Sequence, residues 1–139
     1  MAEWQKRWSS STNGRWTHRL IPDVARWVER KHGVVDYYLT QFLSGHGCFK
    51  KYLFKRNLAT SAICTFCNDS KDEDVEHIFF ECSYFRSFSI QLEARLGVQL
   101  TAVNIVQVML YGAREWMLVH QHVIDIMKVL IRAESARQV

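Results

Sequence analysis

Apolar residues along this chain recur at three- and four-residue steps and almost never alternate, which is the pattern of amphipathic helices and not of strands. Trp4 and Trp8 stand four apart on one helical face, with Lys6 and Arg7 turned away, and SSSTNG (residues 9–14) breaks that helix. In RWTHRLIPDVARWVERKHG, Pro22 suits the first turn of a helix whose apolar face is Val24, Trp27 and Val28, ending near Gly33. Asp36 precedes a stripe of Tyr38, Leu39, Phe42 and Leu43, with a break at Gly45-His46-Gly47. A short helix over 48–56 carries Phe49, Tyr52 and Leu53 on one side, with Lys50, Lys51, Lys55 and Arg56 largely on another.

Beyond residue 82, Phe85, Phe88, Ile90 and Leu92 mark a helix closed by Gly97, and Thr101 reads as the N-cap of an almost continuously apolar segment ending at Gly112. The last helix, about 113–136, shows Trp116, Val119, Val123, Ile126, Met127 and Leu130 in register, widened by Leu118, Ile124 and Ile131. A helix this broadly apolar wants covering on more than one side, by the rest of the domain or by a partner. His120 and His122 flank its stripe as surface or packed groups. The expected fold is all-α: a small irregular helical domain with a metal knuckle embedded at 64–82, a basic helical segment over 1–63, and C-terminal helices over 83–139 that include a helical hairpin.

Composition agrees with one such domain. The 139 residues are 48% hydrophobic and 23% charged, with a single proline and six glycines, too little turn punctuation for a sandwich or barrel. The start MAEWQKRWSSS lacks the apolar stretch of a signal peptide, and no run approaches a membrane helix, so the sequence points to a reducing intracellular compartment, nucleus or cytoplasm. Net charge is +4. Residues 1–63 hold eleven Lys/Arg against four Asp/Glu, while residues 64–139 hold seven against ten, so an acidic partner would meet the N-terminal half.

The chemistry concentrates in CTFCNDSKDEDVEHIFFEC. Cys64, Cys67, His77 and Cys82 stand at the spacing CxxC, nine residues, His, four residues, Cys. Three thiolates and an imidazole suit Zn²⁺, and four protein ligands leave no open position for water, so the site reads as structural. The metal reading outranks a disulfide framework because it leaves only Cys48 unassigned. Residues 68–76 form an acidic connecting loop whose end begins a short helix through His77, and Phe79 and Phe80 are placed to pack the metal turn on the core. The helix at 48–56 combines four cations with aromatics, as nucleic-acid binding requires; the competing reading is a buried apolar face with solvated lysines opposite. A nucleophile and base in Cys48 and His46 would lack an orienting third group.

These blocks together resemble the region C-terminal to the polymerase domain of non-LTR (LINE-like) retrotransposon reverse transcriptases. The matching elements run in order over roughly residues 4–110: the two tryptophans, GRWTHRLIPDV, RKHG, YYLTQFLSGHGCF, Tyr52-Leu53, the CCHC knuckle with EHIFFEC, and an aromatic-arginine pair, Phe85-Arg86. The resemblance implies a helical zinc-knuckle domain that helps hold template RNA or target DNA near the polymerase domain of a parent protein, with Arg86 joining the candidate contacts. It implies no membrane and no small-molecule substrate. It does not carry over the activity, because the chain has neither paired aspartates for two metal ions nor a proline-aspartate nuclease signature. The expectation is a fragment of the parent that binds zinc and nucleic acid and is no enzyme alone; the alternative is a zinc-stabilised interaction domain docking through its last helix.

Overall fold

Two of the helices here begin where a short polar side chain meets backbone donors that the first turn leaves unpaired. In a computed structural model of the chain, which describes residues 2–11 and 14–138, the order is α1 (Ala2–Ser10), α2 (Arg15–Leu20), α3 (Val24–Glu29), α4 (Tyr37–Ser44), α5 (Lys50–Lys55), a π-helical turn (His77–Glu81), α6 (Arg86–Leu96), α7 (Ile105–Tyr111) and α8 (Ala113–Arg137). Extended pairing among the described residues is limited to one antiparallel bridge, Ile63 with Asp72. The fold is all-α, as its periodicity indicates.

Asp23 accepts from the Arg26 amide at 3.2 Å and Asp36 from the Leu39 amide at 2.8 Å, capping α3 and α4. The helix expected from Pro22 to Gly33 is therefore shorter than its pattern. Pro22 lies outside it, and Arg30 turns extended after Glu29. A separate helix, α2, fills the preceding stretch and docks on α4 through Trp16 Nε1 to Phe42 O (2.9 Å) and Thr17 Oγ1 to Leu43 O (2.7 Å). The break foreseen at 9–14 follows α1, with Thr12 and Asn13 outside the described residues. The helix expected directly after Thr101 starts one turn later: Thr101 and Asn104 exchange bonds of 2.8 and 3.2 Å across the intervening turn, and α7 begins at Ile105.

The core is built on α8. Trp116, Val119, Val123, Ile126, Met127 and Leu130 are at most 2% exposed, covered by α7, α4 and α6. Gly112 joins α7 to α8 as the expected hairpin. His120 pairs with Asp36 at 3.0 Å, whereas His122 is packed 6.0 Å from Phe79, where burial pushes its pKa down to about 4 and keeps the ring neutral.

The RKHG block closes over the N-terminal end of α8. The Arg30 guanidinium sits 4.4 Å from the Trp27 ring and 4.8 Å from Trp116, His32 meets Trp116 edge-on, and His32 Nε2 lies 2.9 Å from Met109 O. Gly33, at φ +91°, touches the indole so closely that a Cβ would lie 2.3 Å from two ring carbons. Because that indole is buried and cannot retreat, Gly33→Ala should cost about 2–4 kcal/mol, combining overpacking with a backbone conformation hostile to L side chains. Urea unfolding of the two proteins checks this; equal midpoints would mean that the RKHG turn is not held against Trp116.

Candidate metal centre and the basic helix beside it

Two local devices bring the four candidate ligands together. The first is a short hairpin: Cys64 N–H donates to Lys71 O and Glu73 N–H to Ala62 O, both at 2.8 Å, curling the segment that carries Cys64 and Cys67. The second is the π turn. Asp74 caps it by accepting from the His77 amide at 2.8 Å, and Cys82 N–H closes it on His77 O at 2.6 Å. In an α-helix, residues five apart diverge by roughly 140° around the axis. The wider π turn brings His77 and Cys82 back to one side, a use typical of π turns at functional sites.

The ligand atoms of Cys64, Cys67, His77 and Cys82 lie within 4.8 Å of one another, and all four residues are buried. Cys64 Sγ is 3.9 Å from Cys82 Sγ, and Cys67 Sγ is 3.3 Å from His77 Nε2. A tetrahedral ion with sulfur bonds of about 2.3 Å sets its sulfurs roughly 3.8 Å apart, so the cluster fits such an ion. His77 Nδ1 points the other way, 3.5 Å from the Glu81 carboxylate but without a hydrogen bond, and Nε2 faces the Cys67 sulfur. Burial pushes the Cys64 thiol up to about 12 and raises that of Cys82 as well. Without a cation both are neutral thiols, and metal must displace their protons.

The centre is tied into the core by aromatics. Phe79 packs against Phe42 at 4.6 Å and Phe49 at 6.5 Å, Phe80 lies 6.2 Å from Trp16, and Phe66 reaches Phe85 at 5.0 Å. Arg19 of α2 grips Glu76, the residue before His77, with bonds of 3.1 and 2.8 Å.

Glu73, a residue to which the spacing gives no role, connects the metal loop to α5. Fully buried, it accepts from Lys50 N–H through Oε1 (3.1 Å) and from Lys51 N–H through its backbone carbonyl (3.0 Å). A carboxylate there suits both the unpaired donors and the positive end of the helix. Burial nevertheless pushes its pKa above the usual carboxylate range.

The same docking corrects one candidate contact. Lys50 is only 7% exposed, lying beside Glu134 and Arg137 of α8, because it shares the face of Leu53, three residues on. Lys51, Lys55 and Arg56 are exposed, with Lys51 near Asp72 (3.5 Å) and Asp74 (3.8 Å). Arg86 stands apart, paired with Glu93 at 3.2 Å. His46 and Cys48 do not form an activated pair: the imidazole stacks on Tyr52 at 4.6 Å, and burial raises the Cys48 thiol.

Comparison with known proteins points the same way. Residues 6–88 match the family described as zinc-binding in reverse transcriptase. The chain is 40% identical over 85 residues to a retrovirus-related Pol polyprotein from type-1 retrotransposable element R1 2 of Nasonia vitripennis, covering 61% of this chain and 20% of the relative. It is 37% identical over 82 residues to the R1 Pol polyprotein of Bradysia coprophila, covering 59% and 8%. With R1 3 of Nasonia vitripennis it shares 35% identity over 105 residues, covering 75% and 26%. The chain thus spans only a minor part of these relatives. No solved structure matches it.

The cluster should take up one Zn²⁺ per chain, and His77→Ala should lower that content and loosen the metal loop. Since the three thiols must each give up a proton to the solvent on binding, apparent affinity should weaken as pH is lowered, by up to about a thousandfold per unit for three protons displaced. Competition with a chelator across a pH series measures this; a pH-independent affinity would mean that the thiols are not ligands.

Proposed function

Because this chain belongs to the family of zinc-binding regions of reverse transcriptases, we propose that it is a zinc-stabilised, non-catalytic module that binds RNA template or target DNA beside the polymerase domain of a larger Pol protein. In this role it works in the nucleus or cytoplasm, wherever that polymerase meets nucleic acid. The carrying observation is the buried Glu73 link, through which the metal loop holds the N-terminus of a helix presenting Lys51, Lys55 and Arg56 to solvent. Zinc supplies a closed structural centre whose proper chemistry is to fix Cys64, Cys67, His77 and Cys82. The residues that meet the ligand are the cations, and Arg86, held by Glu93, is a lesser contact.

Polymerisation would belong to other parts of such a protein, since this chain has no paired aspartates to hold two catalytic ions. Docking through the last helix has less support than its sequence suggests, because the apolar stripe of α8 is already covered by α4, α6 and α7. No described helix is long and apolar enough to cross a membrane.

Changing Lys51, Lys55 and Arg56 together to Gln should leave zinc content unchanged while weakening binding to RNA and DNA. The log–log dependence of affinity on salt should become shallower by about two, since each phosphate contact contributes roughly 0.7–0.9. Fluorescence anisotropy over a salt series reads both quantities. Unchanged affinity and slope would overturn the nucleic-acid role of α5.

A further inference from the structure

The concave surface between α2, α5 and the start of the π turn contains more than the cations of α5. A groove of about 440 Å³ runs there, lined by Arg15 and Arg19 from α2, Lys51 and Lys55 from α5, and the aromatic pair His46 and Tyr52. Trp16 contributes a third ring, and Asp74 and Glu76 its two carboxylates. Four cations therefore face two anions, and the anions are already engaged: Glu76 with Arg19, and Asp74 with Lys51. Arg15 and Lys55 carry no ion pair among the described residues; Arg15 is oriented by hydrogen bonds to Ser11 O and to His18 Nδ1.

The rings make this more than a phosphate-attracting patch. His46 and Tyr52 lie nearly parallel, 14° apart with centroids at 4.6 Å, and His46 is on the solvent side. The left-handed Gly45 ends α4 and Gly47, at φ +144°, packs against Gln41, so His46 is carried on a turn fixed at both ends. Besides Tyr52, His46 has no ring contact among the described residues, and what its exposed face fits chemically is another flat π system.

We infer that this groove takes a single-stranded segment of nucleic acid, with a base stacked on the His46–Tyr52 ledge and flanking phosphates drawn to Arg15, Lys51 and Lys55. The inference rests on the nucleic-acid reading above and goes beyond it by naming the strand state and the base-contacting residue. A duplex keeps its bases stacked on each other and is read by an element that projects into its grooves. Here α5 is six residues long, and its cations border a hollow. Hollows that combine cations with stacking rings suit unpaired strands, and they tolerate many sequences because every base has a π face.

The test uses the zinc-loaded chain and four fluorescent probes of equal length: a single-stranded DNA, the same sequence as RNA, its duplex, and a DNA strand in which the central bases are replaced by abasic sites. The single strands should bind at least fivefold more tightly than the abasic strand. His46→Ala, at a solvent-facing position, should remove most of that difference without altering the salt slope, whereas Arg15→Gln should lower the slope by about one. The RNA and DNA arms identify which strand is preferred. Equal affinity for the abasic and intact strands, or a duplex bound more tightly than either single strand, would overturn the inference while leaving α5 as a phosphate-binding helix. Absence of binding to all four probes at low salt would remove both readings.

Discussion

Three thiols and an imidazole are held within 4.8 Å of one another in a buried position, and the rest of the molecule is arranged around that constraint. Burial alone gives such a cluster little cohesion, since the Cys64 and Cys82 sulfurs stay protonated and contribute only weak hydrogen bonds. A structural Zn²⁺ contributes about 10–16 kcal/mol in small zinc-binding peptides, comparable to the entire 5–15 kcal/mol by which ordinary domains stay folded. The hairpin of Cys64 and Cys67 makes only two backbone bonds to its own return strand. An ion held there would supply most of what fixes that hairpin, while α8 and its neighbours draw on an apolar core that needs none.

The two halves meet at Glu73. Its carboxylate is fully buried, and one oxygen has no hydrogen-bond partner. Such a group is costly unless nearby positive charge offsets the loss of water. That charge comes from the N-terminus of α5, from Lys50, and from Arg137 at the end of α8. One residue of the metal loop therefore sets the position of the basic helix and draws in the far end of the core helix.

What could be read from the chain and what could not divide along physical lines. Metal ligands are constrained by element type and spacing, so Cys64, Cys67, His77 and Cys82 stand out in one sequence. The stripe of α8 is likewise a periodic signal. The interval from His77 to Cys82 held a further signal that a helical reading passes over: five residues cannot align two ligands on an α-helix, and the π turn is the resolution. Lys50 shows the opposite limit. Its charge suggests solvent, but its place three residues before Leu53 puts it on the buried face, close to the tertiary neighbours Glu73, Glu134 and Arg137. Glu73 itself resembles the other acids of its loop in sequence, because its partner donors lie twenty-three and twenty-two residues away.

The N-terminal helices show why cations in this region can have defined positions at all. Helices of six residues, such as α2 and α3, are far below the length at which helix formation sustains itself in water. They persist because bulky side chains fasten them: Trp8 Nε1 donates to Ile21 O, Trp16 Nε1 to Phe42 O, and Arg30 lies against Trp27 and Trp116. The indoles of Trp8 and Trp16 each cover apolar surface and satisfy a carbonyl left over at a helix end, two functions that a leucine could not combine. Of the two tryptophans that open the block pattern, Trp8 is therefore a structural fastener, whereas Trp4 is 70% exposed. Through Trp16 and the Arg19–Glu76 pair, α2 is held against the metal turn, so the charges of α2 and α5 share one rigid frame.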